Sequence, residues 1–254
     1  MNNYAKVIID QKSSWIEIFN ENVYLMDGDP LDSAFERKRI IDIDYKNIDY
    51  LIPVEPSKVI GLGWNYKDLI GVKDSYLEPI VFLKSPTSIT GDKSRIKFPK
   101  IANKVWVEVE LVIIIGKTCF DISPSEANEY ILGHAIGSDI TALNVHQRDW
   151  HLARSKALDD FAPIGPNLIK GMNTENLWLK SYINGKLAQS GNTSDRVLND
   201  KEIVSLVSKM MTLQPGDVIF TGTPAKAREA QVLPGDLVTH EIENIGDLTF
   251  EFIK

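Results

Sequence analysis

The stretch VWVEVELVIII, residues 105–115, decides the fold because it is the clearest strand in the sequence. Side chains alternate across a strand, so its odd-numbered residues share one apolar face, and Glu108 and Glu110 share the other. Beyond Leu111 both faces are apolar, which is typical of a strand buried on both sides. The sequence therefore predicts a central strand that carries two acidic side chains into an apolar interior.

Two carboxylates on one face of a buried strand repel each other and lose their hydration. Burying an ionised carboxylate without a partner is very costly, and no Lys or Arg lies within this strand. A divalent cation resolves the conflict, because hard cations bind carboxylate oxygens. The alternative is a strand with one wet face that carries Glu108 and Glu110 into solvent. This strand alone does not decide between the two.

A third acid, Asp139, follows the short apolar run 135–138, which we expect to be the neighbouring strand. Three acids at adjacent strand ends would give the oxygen-rich ligand set that suits Mg²⁺ or Mn²⁺. A lone Asp at a strand end is otherwise a turn or helix-capping residue.

The 254 residues suffice for one large domain with a small appendage. Residues 1–55 contain short apolar segments with polar turns and end at a pair of prolines, so we predict a small N-terminal β domain there. Residues 56–254 form the predicted catalytic domain. Apolar residues at helical spacing predict a helix from Asp200, and a capping box at 123–126 predicts a short helix that ends near Gly133. The predicted fold class is mostly β with a few helices (α+β).

The composition excludes several classes of protein. A net charge of -7 argues against a nucleic-acid surface. Cys119 is the only cysteine, so no intrachain disulfide can form. The N-terminus does not resemble a signal peptide, and the apolar runs are far too short to span a bilayer. We therefore expect a cytoplasmic protein without a membrane or nucleic-acid partner.

Five sequence blocks occur in the order that is typical of the fumarylacetoacetate hydrolase family, and together they resemble that family from about residue 56 to the C-terminus. The blocks are PIVFLK (79–84), EVE (108–110) with Asp139, KALDDFAPIGP (156–166), Asn184-Gly185 with Gln189 and Thr193, and TGTP (221–224) after PGD (215–217). The resemblance implies a β-sandwich roll core, a small N-terminal β domain and a homodimer.

The resemblance also implies site residues. Its metal ligands for Mg²⁺ or Mn²⁺ would be Glu108, Glu110 and Asp139. Its substrate contacts would come from Lys156, Thr223, Gly222, Gln189 and Tyr66. Lys156 could instead pair with a nearby Asp, Gln189 could lie on a surface loop, and residues 221–224 could be only a tight turn. A 2-oxo acid would chelate the metal, which stabilises the enolate formed when a bond at C3 breaks.

The sequence departs from the family at the residues that activate water. Leu69 and Val72 stand where hydrolytic members carry His and Glu, and Leu143 replaces a substrate-contacting Arg. A leucine cannot deprotonate water. We hypothesise that His146 replaces part of this acid–base machinery as a catalytic residue beside Lys156; the alternative is a surface or capping histidine.

These departures favour an isomerase, a tautomerase or a decarboxylase that acts on a 2-hydroxy-dienoate or a 2-oxo diacid, similar to a 2-hydroxyhepta-2,4-diene-1,7-dioate isomerase. One alternative is a C–C bond hydrolase of the acylpyruvate or fumarylacetoacetate type. The other is a catalytically degenerate binding protein that retains the metal.

Overall fold

The computed structural model describes residues 1–32, 34–70, 78–143 and 149–254, without the side chains of residues 69 and 70. Its helices are α1 (Lys67–Ile70), α2 (Ala153–Lys156) and α3 (Asp200–Met210). Its strands, numbered in chain order, are β1 (Asn2–Ile9), β2 (Lys12–Phe19), β3 (Asn22–Asp27), β4 (Glu36–Ile41), β5 (Val59–Gly63), β6 (Ile80–Lys84), β7 (Ile89–Thr90), β8 (Ser94–Lys97), β9 (Val105–Trp106), β10 (Val109–Ile115), β11 (Ile131–Ser138), β12 (Thr141–Ala142), β13 (Ala162–Pro163), β14 (Asn167–Lys170), β15 (Trp178–Ile183), β16 (Lys186–Asn192), β17 (Val218–Phe220), β18 (Gln231–Val232), β19 (Leu237–Ile242) and β20 (Gly246–Ile253). The prediction of a mostly β fold with a few helices is confirmed.

A ten-stranded sheet organises the molecule, in the order β4-β3-β2-β1-β14-β11-β10-β17-β5-β6. Strand β10 lies inside this sheet, antiparallel to β11 and β17, and all of its residues are buried. Each fully buried aliphatic side chain contributes about 1.5–3 kcal/mol relative to exposure. The buried apolar residues of β10 therefore anchor it firmly within the sheet.

The predicted single strand 105–115 is interrupted in the structure. Strand β9 ends at Trp106 and joins a separate small sheet in the order β12-β9-β18, whereas β10 begins at Val109. Between them, Val107 N donates to Ala230 O at 3.1 Å, and Glu108 O accepts from Asp139 N at 3.0 Å. The predicted face of odd-numbered residues is confirmed, because the residues from 105 to 111 on that face belong to one core cluster.

A second sheet packs across this core in the order β16-β15-β19-β20-β8. Apolar side chains of the two sheets meet there, and they include Leu111, Ile136, Leu179, Val238 and Phe250. The two sheets form a sandwich. Asp139 follows the last residue of β11, one of the strands that contribute to this shared core.

The N-terminal strands β1–β4 form an antiparallel meander with a small core of its own. Strand β1 also pairs with β14, Asn2 opposite Lys170, so the meander extends the ten-stranded sheet. The proposed domain boundary near residue 55 stays a prediction.

The helix predicted from Asp200 is confirmed as α3, which Asn199 and Glu202 cap in a capping box. The helix predicted between residues 123 and 133 is wrong in its extent, because only one 3₁₀ turn forms there. There the Ser123 N–H donates to the Glu126 carboxylate and closes a turn, a 3₁₀ turn follows at Ala127–Glu129, and β11 begins at Ile131. Pairing with the buried strand β10 overrides the local helical signal. Among the described residues, none of the helices combines the length and the apolar character that a membrane span requires.

Candidate metal centre

The three predicted acids converge where β10 and β11 meet. Gly137 lies opposite Glu110 in the β10–β11 ladder, and Asp139 follows the last residue of β11. Each of Glu108, Glu110 and Asp139 offers a carboxylate oxygen, and these oxygens lie within 4.8 Å of one another. The cluster results from an antiparallel register that places the break before β10 beside the end of β11.

Glu108 lies at the mouth of the cluster, with 12% of its side chain exposed. Its Oε1 accepts hydrogen bonds from Trp106 Nε1 at 2.7 Å and Thr141 Oγ1 at 2.8 Å. Its Oε2 lies 3.2 Å from Lys156 Nζ. Because both of its oxygens have contacts, the orientation of the Glu108 carboxylate is fixed.

Glu110 is buried and, like Asp139, only 1% exposed. Its Oε2 accepts a hydrogen bond from Gly222 N at 2.7 Å. Burial raises the pKa of Glu110 well above its ordinary value, and the charges of Asp139 and Glu108 raise it further. Without an added positive charge nearby, the ionised form of the Glu110 carboxylate is therefore disfavoured.

Asp139 is compensated by two lysines from distant parts of the chain. Lys84 Nζ, at the end of β6, lies 2.5 Å from Asp139 Oδ1, and Lys156 Nζ, at the end of α2, contacts Asp139 Oδ2. Burial opposes ionisation of Asp139, but Lys156 and Lys84 outweigh it and lower the pKa of this carboxyl. Asp139 is therefore held ionised.

The two lysines differ in their own electrostatics. Burial lowers the pKa of Lys84. The charge of Asp139 opposes this decrease, and the charge of Lys156 adds to it. Burial also acts against the charge of Lys156, yet Asp139 and Glu108 together raise its pKa above the ordinary value. Lys156 thus stays an ammonium group, a hydrogen-bond donor and not a base. Lys84 ends the family-like block 79–84, but it is not among the predicted site residues. A lysine at the end of an apolar strand is the sequence feature that could have indicated its role.

The donor set fits a hard divalent cation. Three carboxylates and two ammonium groups leave one excess negative charge when all are ionised, and the pKa of Glu110 shows where that charge is least tolerated. Oxygen ligands of this type suit Mg²⁺ or Mn²⁺. Residues 105–115 contain no Lys or Arg, so this strand alone does not predict the partial compensation by lysines from β6 and α2.

A cavity of about 800 Å³ opens above the cluster. Glu108, Asp139 and Lys156 line it together with apolar side chains, including Leu62, Trp64, Phe82 and Leu143. Further charged residues of its lining are Lys104, Lys226, Arg228 and Glu229. Among the ion pairs of the described residues, none involves Lys104, Lys226 or Arg228. The cavity thus combines an acidic floor with three cations that have no ion-pair partner among the described residues.

The predicted substrate contacts divide into two groups. Thr223 lines the cavity, and Gly222 donates its N–H to Glu110. Gln189 is 2% exposed, and its Nε2 donates to Thr223 Oγ1 at 2.8 Å and to Pro224 O at 2.7 Å, which fastens the 221–224 turn from behind. Tyr66 is fully buried. In the described part of the chain, Gly222, Gln189 and Tyr66 do not belong to the cavity lining.

The departures from the family pattern are only partly visible. Leu143, which replaces the family Arg, is 43% exposed and lines the cavity. The side chain of Leu69, together with Val72 and His146, lies outside the described residues, so the hypothesis about His146 stays a prediction.

Fold and site together define a class of protein: a β-sandwich with a buried three-carboxylate cluster at the floor of a cavity. The fumarylacetoacetate (FAA) hydrolase C-terminal model matches residues 58–253, so the chain belongs to the fumarylacetoacetate hydrolase family. The family's members include isomerases, hydrolases and tautomerases.

Three comparisons illustrate the relationship. An uncharacterised protein of Methanocaldococcus jannaschii is 39% identical over 224 residues, which cover 84% of this chain and 93% of that protein. The mitochondrial oxaloacetate tautomerase fahd2 of Xenopus laevis is 32% identical over 221 residues, which cover 80% of this chain and 68% of the tautomerase. The crystal structure of 2-hydroxyhepta-2,4-diene-1,7-dioate isomerase from Mycobacterium marinum has a TM-score of 0.88 and 30% identity, and the match covers 100% of this chain and 98% of that one. The expected family fold is confirmed.

Proposed function

We propose that this protein is a divalent-metal-dependent enzyme that stabilises the enolate of a small 2-oxo acid. The favoured reactions are isomerisation or tautomerisation, with decarboxylation next, on a 2-hydroxy-dienoate or a 2-oxo diacid. The observation that carries the proposal is the convergence of three carboxylates with Lys156 at the floor of the cavity. Among the relatives, an oxaloacetate tautomerase and a dienedioate isomerase perform reactions of this type.

Glu108, Glu110 and Asp139 are the residues that would hold the metal. Bound Mg²⁺ or Mn²⁺ supplies Lewis-acid polarisation of the 2-oxo oxygen and so favours loss of a proton from the neighbouring carbon. Lys156 and Lys84 contact the two oxygens of Asp139 and together hold this carboxylate ionised.

Lys156 is the proposed catalytic residue of the chain. Its Nζ lies beside two of the acids and 5.1 Å from the centroid of the Phe82 ring, and both residues line the cavity. As an ammonium group it would donate hydrogen bonds to the substrate carboxylate or to the oxygen on which negative charge develops. Preorganised donors of this kind lower the barrier because they need no reorientation during the reaction.

Three cations of the cavity lining support a substrate with a second carboxylate. Lys104, Lys226 and Arg228 carry positive charge without an ion-pair partner among the described residues, and Glu229 is the acid beside them in the lining. A diacid bound by its 2-oxo end at the acidic floor would direct its other carboxylate to these cations. This arrangement favours 2-oxo diacids over monoacids.

The decisive experiment compares four reactions with purified protein, first stripped of metal by a chelator and then supplied with Mg²⁺ or Mn²⁺. These are oxaloacetate enol–keto exchange, isomerisation of 2-hydroxyhepta-2,4-diene-1,7-dioate, oxaloacetate decarboxylation and acylpyruvate hydrolysis. We expect metal-dependent turnover in the first two. Glu110→Gln should abolish it, whereas Glu129→Gln, an exposed surface control, should not.

The other outcomes separate the alternatives. Metal-dependent hydrolysis without isomerisation would favour the C–C hydrolase. Tight metal binding without turnover of any of the four substrates would favour a degenerate binding protein. Turnover that survives complete removal of metal would refute the proposal. A cytoplasmic location and a homodimer stay predictions, and gel filtration with light scattering tests the second.

A further inference from the structure

Two donors from different strands converge on a single oxygen of Glu108. The indole N–H of Trp106 lies 2.7 Å from Oε1, and the hydroxyl of Thr141 lies 2.8 Å from the same atom. Thr141 Oγ1 also lies 3.3 Å from Asp139 O, but the hydroxyl has one proton and its contact with Glu108 is the shorter. Oε1 is thus held by two neutral donors.

The small sheet β12-β9-β18 brings these donors together. Thr141 lies directly opposite Trp106 in the β12–β9 pair, so both side chains lie on the same face, and Glu108 follows Trp106 by two residues. Gln231 of β18 pairs with Trp106 from the other side, and the Arg228 guanidinium lies 5.9 Å from the indole ring centroid. Trp106 is 9% exposed, so its indole is fixed by its surroundings.

Because two donors already occupy Oε1, the second oxygen, Oε2, is the one left to bind a metal. With Oε1 held by Trp106 and Thr141, Oε2 is the oxygen of Glu108 beside Lys156 Nζ, at 3.2 Å. We propose that Trp106 and Thr141 are positioning residues that orient Glu108 as a metal ligand and thereby set the metal affinity. The inference rests on the proposed function. Hydrogen-bond partners of this kind typically change metal affinity by about 10–100-fold when they are removed.

The test measures Mn²⁺ affinity directly, from the electron paramagnetic resonance signal of free Mn²⁺, in metal-stripped full-length protein. Thr141→Val keeps the side-chain shape and removes the hydroxyl, and we expect about 10-fold weaker binding or more. Thr141→Ser restores the hydroxyl and should bind within about threefold of wild type. A purely structural role of Thr141 in packing would not separate the Val and Ser variants in this way.

Trp106→Phe removes the indole N–H and should also weaken binding by about 10–100-fold. Trp178→Phe is its matched control, because Trp178 is 53% exposed on β15. Since both donors act on one oxygen, either one alone still holds it in part. The double variant should therefore lose more than the product of the two single losses, by at least about twofold.

The outcomes distinguish this inference from the proposed function. If wild-type protein binds no Mn²⁺, the proposed function fails and this inference fails with it. If wild type binds Mn²⁺ and Thr141→Val, folded by circular dichroism, binds within about twofold of it, the positioning role alone is overturned. Strictly multiplicative losses in the double variant would overturn the shared-oxygen argument. Should Trp106→Phe not fold, the Val and Ser pair at Thr141 still decides.

Discussion

Replacement of Lys84 by methionine tests the electrostatic balance of the cluster most directly. Methionine keeps an unbranched side chain of similar length and removes the charge. Lys84 Nζ is fully buried and donates to Asp139 Oδ1 at 2.5 Å and to Ile140 O at 3.3 Å. Breaking a buried ion pair by removing one partner costs about 3–5 kcal/mol. Because Lys156 still contacts Asp139, we expect the lower end, about 3 kcal/mol, for the metal-free protein.

The same substitution should strengthen metal binding. It raises the excess negative charge of the ionised cluster from one to two. At a separation on the order of 5 Å, a unit charge is worth about 1.7 kcal/mol against a divalent ion even at the dielectric constant of water. Mn²⁺ affinity should therefore rise more than about tenfold, while stability in chelator falls.

Urea unfolding with and without Mn²⁺ measures both effects. Lys180→Met is the control, because the Lys180–Glu241 pair is exposed on both sides and should be worth less than about 1 kcal/mol. A loss of stability at Lys84→Met no larger than at Lys180→Met would contradict the reasoning, and so would weaker Mn²⁺ binding. A combined result of lower stability and tighter metal would establish that Lys84 and the metal share the negative charge of Asp139.

Three further predictions concern the turn, the cavity rim and a buried histidine. Gly222→Ala should lower metal-dependent turnover at least about tenfold, because Gly222 has a φ of 95° and its N–H donates to Glu110. Gly185→Ala is the control, because Gly185 also has a positive φ but has open space around it; this variant should lose only stability. Arg228→Gln should raise KM for a 2-oxo diacid about tenfold and leave KM for a monoacid unchanged; equal changes would contradict a rim carboxylate site. Burial lowers the pKa of His240 from 6.5 to about 3, so between those values only the unfolded chain binds the proton, and the free energy of unfolding should fall as pH drops from about 6.5 toward 3. His240→Gln should flatten that slope, and an unchanged slope in urea titrations would assign it to other groups.

Much of the fold could be predicted from local pattern. The apolar spacing from Asp200 is enough to predict helix α3, and the structure adds a capping box of Asn199 and Glu202 that lies within the same short segment. The predicted helix after Ser123 failed because the same kind of local signal competed with pairing to β10, which is buried on both faces. A local helical pattern therefore predicts a helix correctly where no neighbouring strand competes for the backbone hydrogen bonds of the segment.

The sequence by itself determined the acids and their approximate meeting point, because alternation along a strand and the position of Asp139 after an apolar run are local properties. Only the tertiary structure decided how their charge is balanced. Lys84 and Lys156 lie 55 and 17 residues from Asp139 in the chain, and the packing of α2 against β6 and β12 brings the two lysines together at Asp139. Likewise, the break after Trp106 arises from its pairing with β12 and β18. Contacts between distant residues depend on the topology of the sheets, which no local spacing encodes.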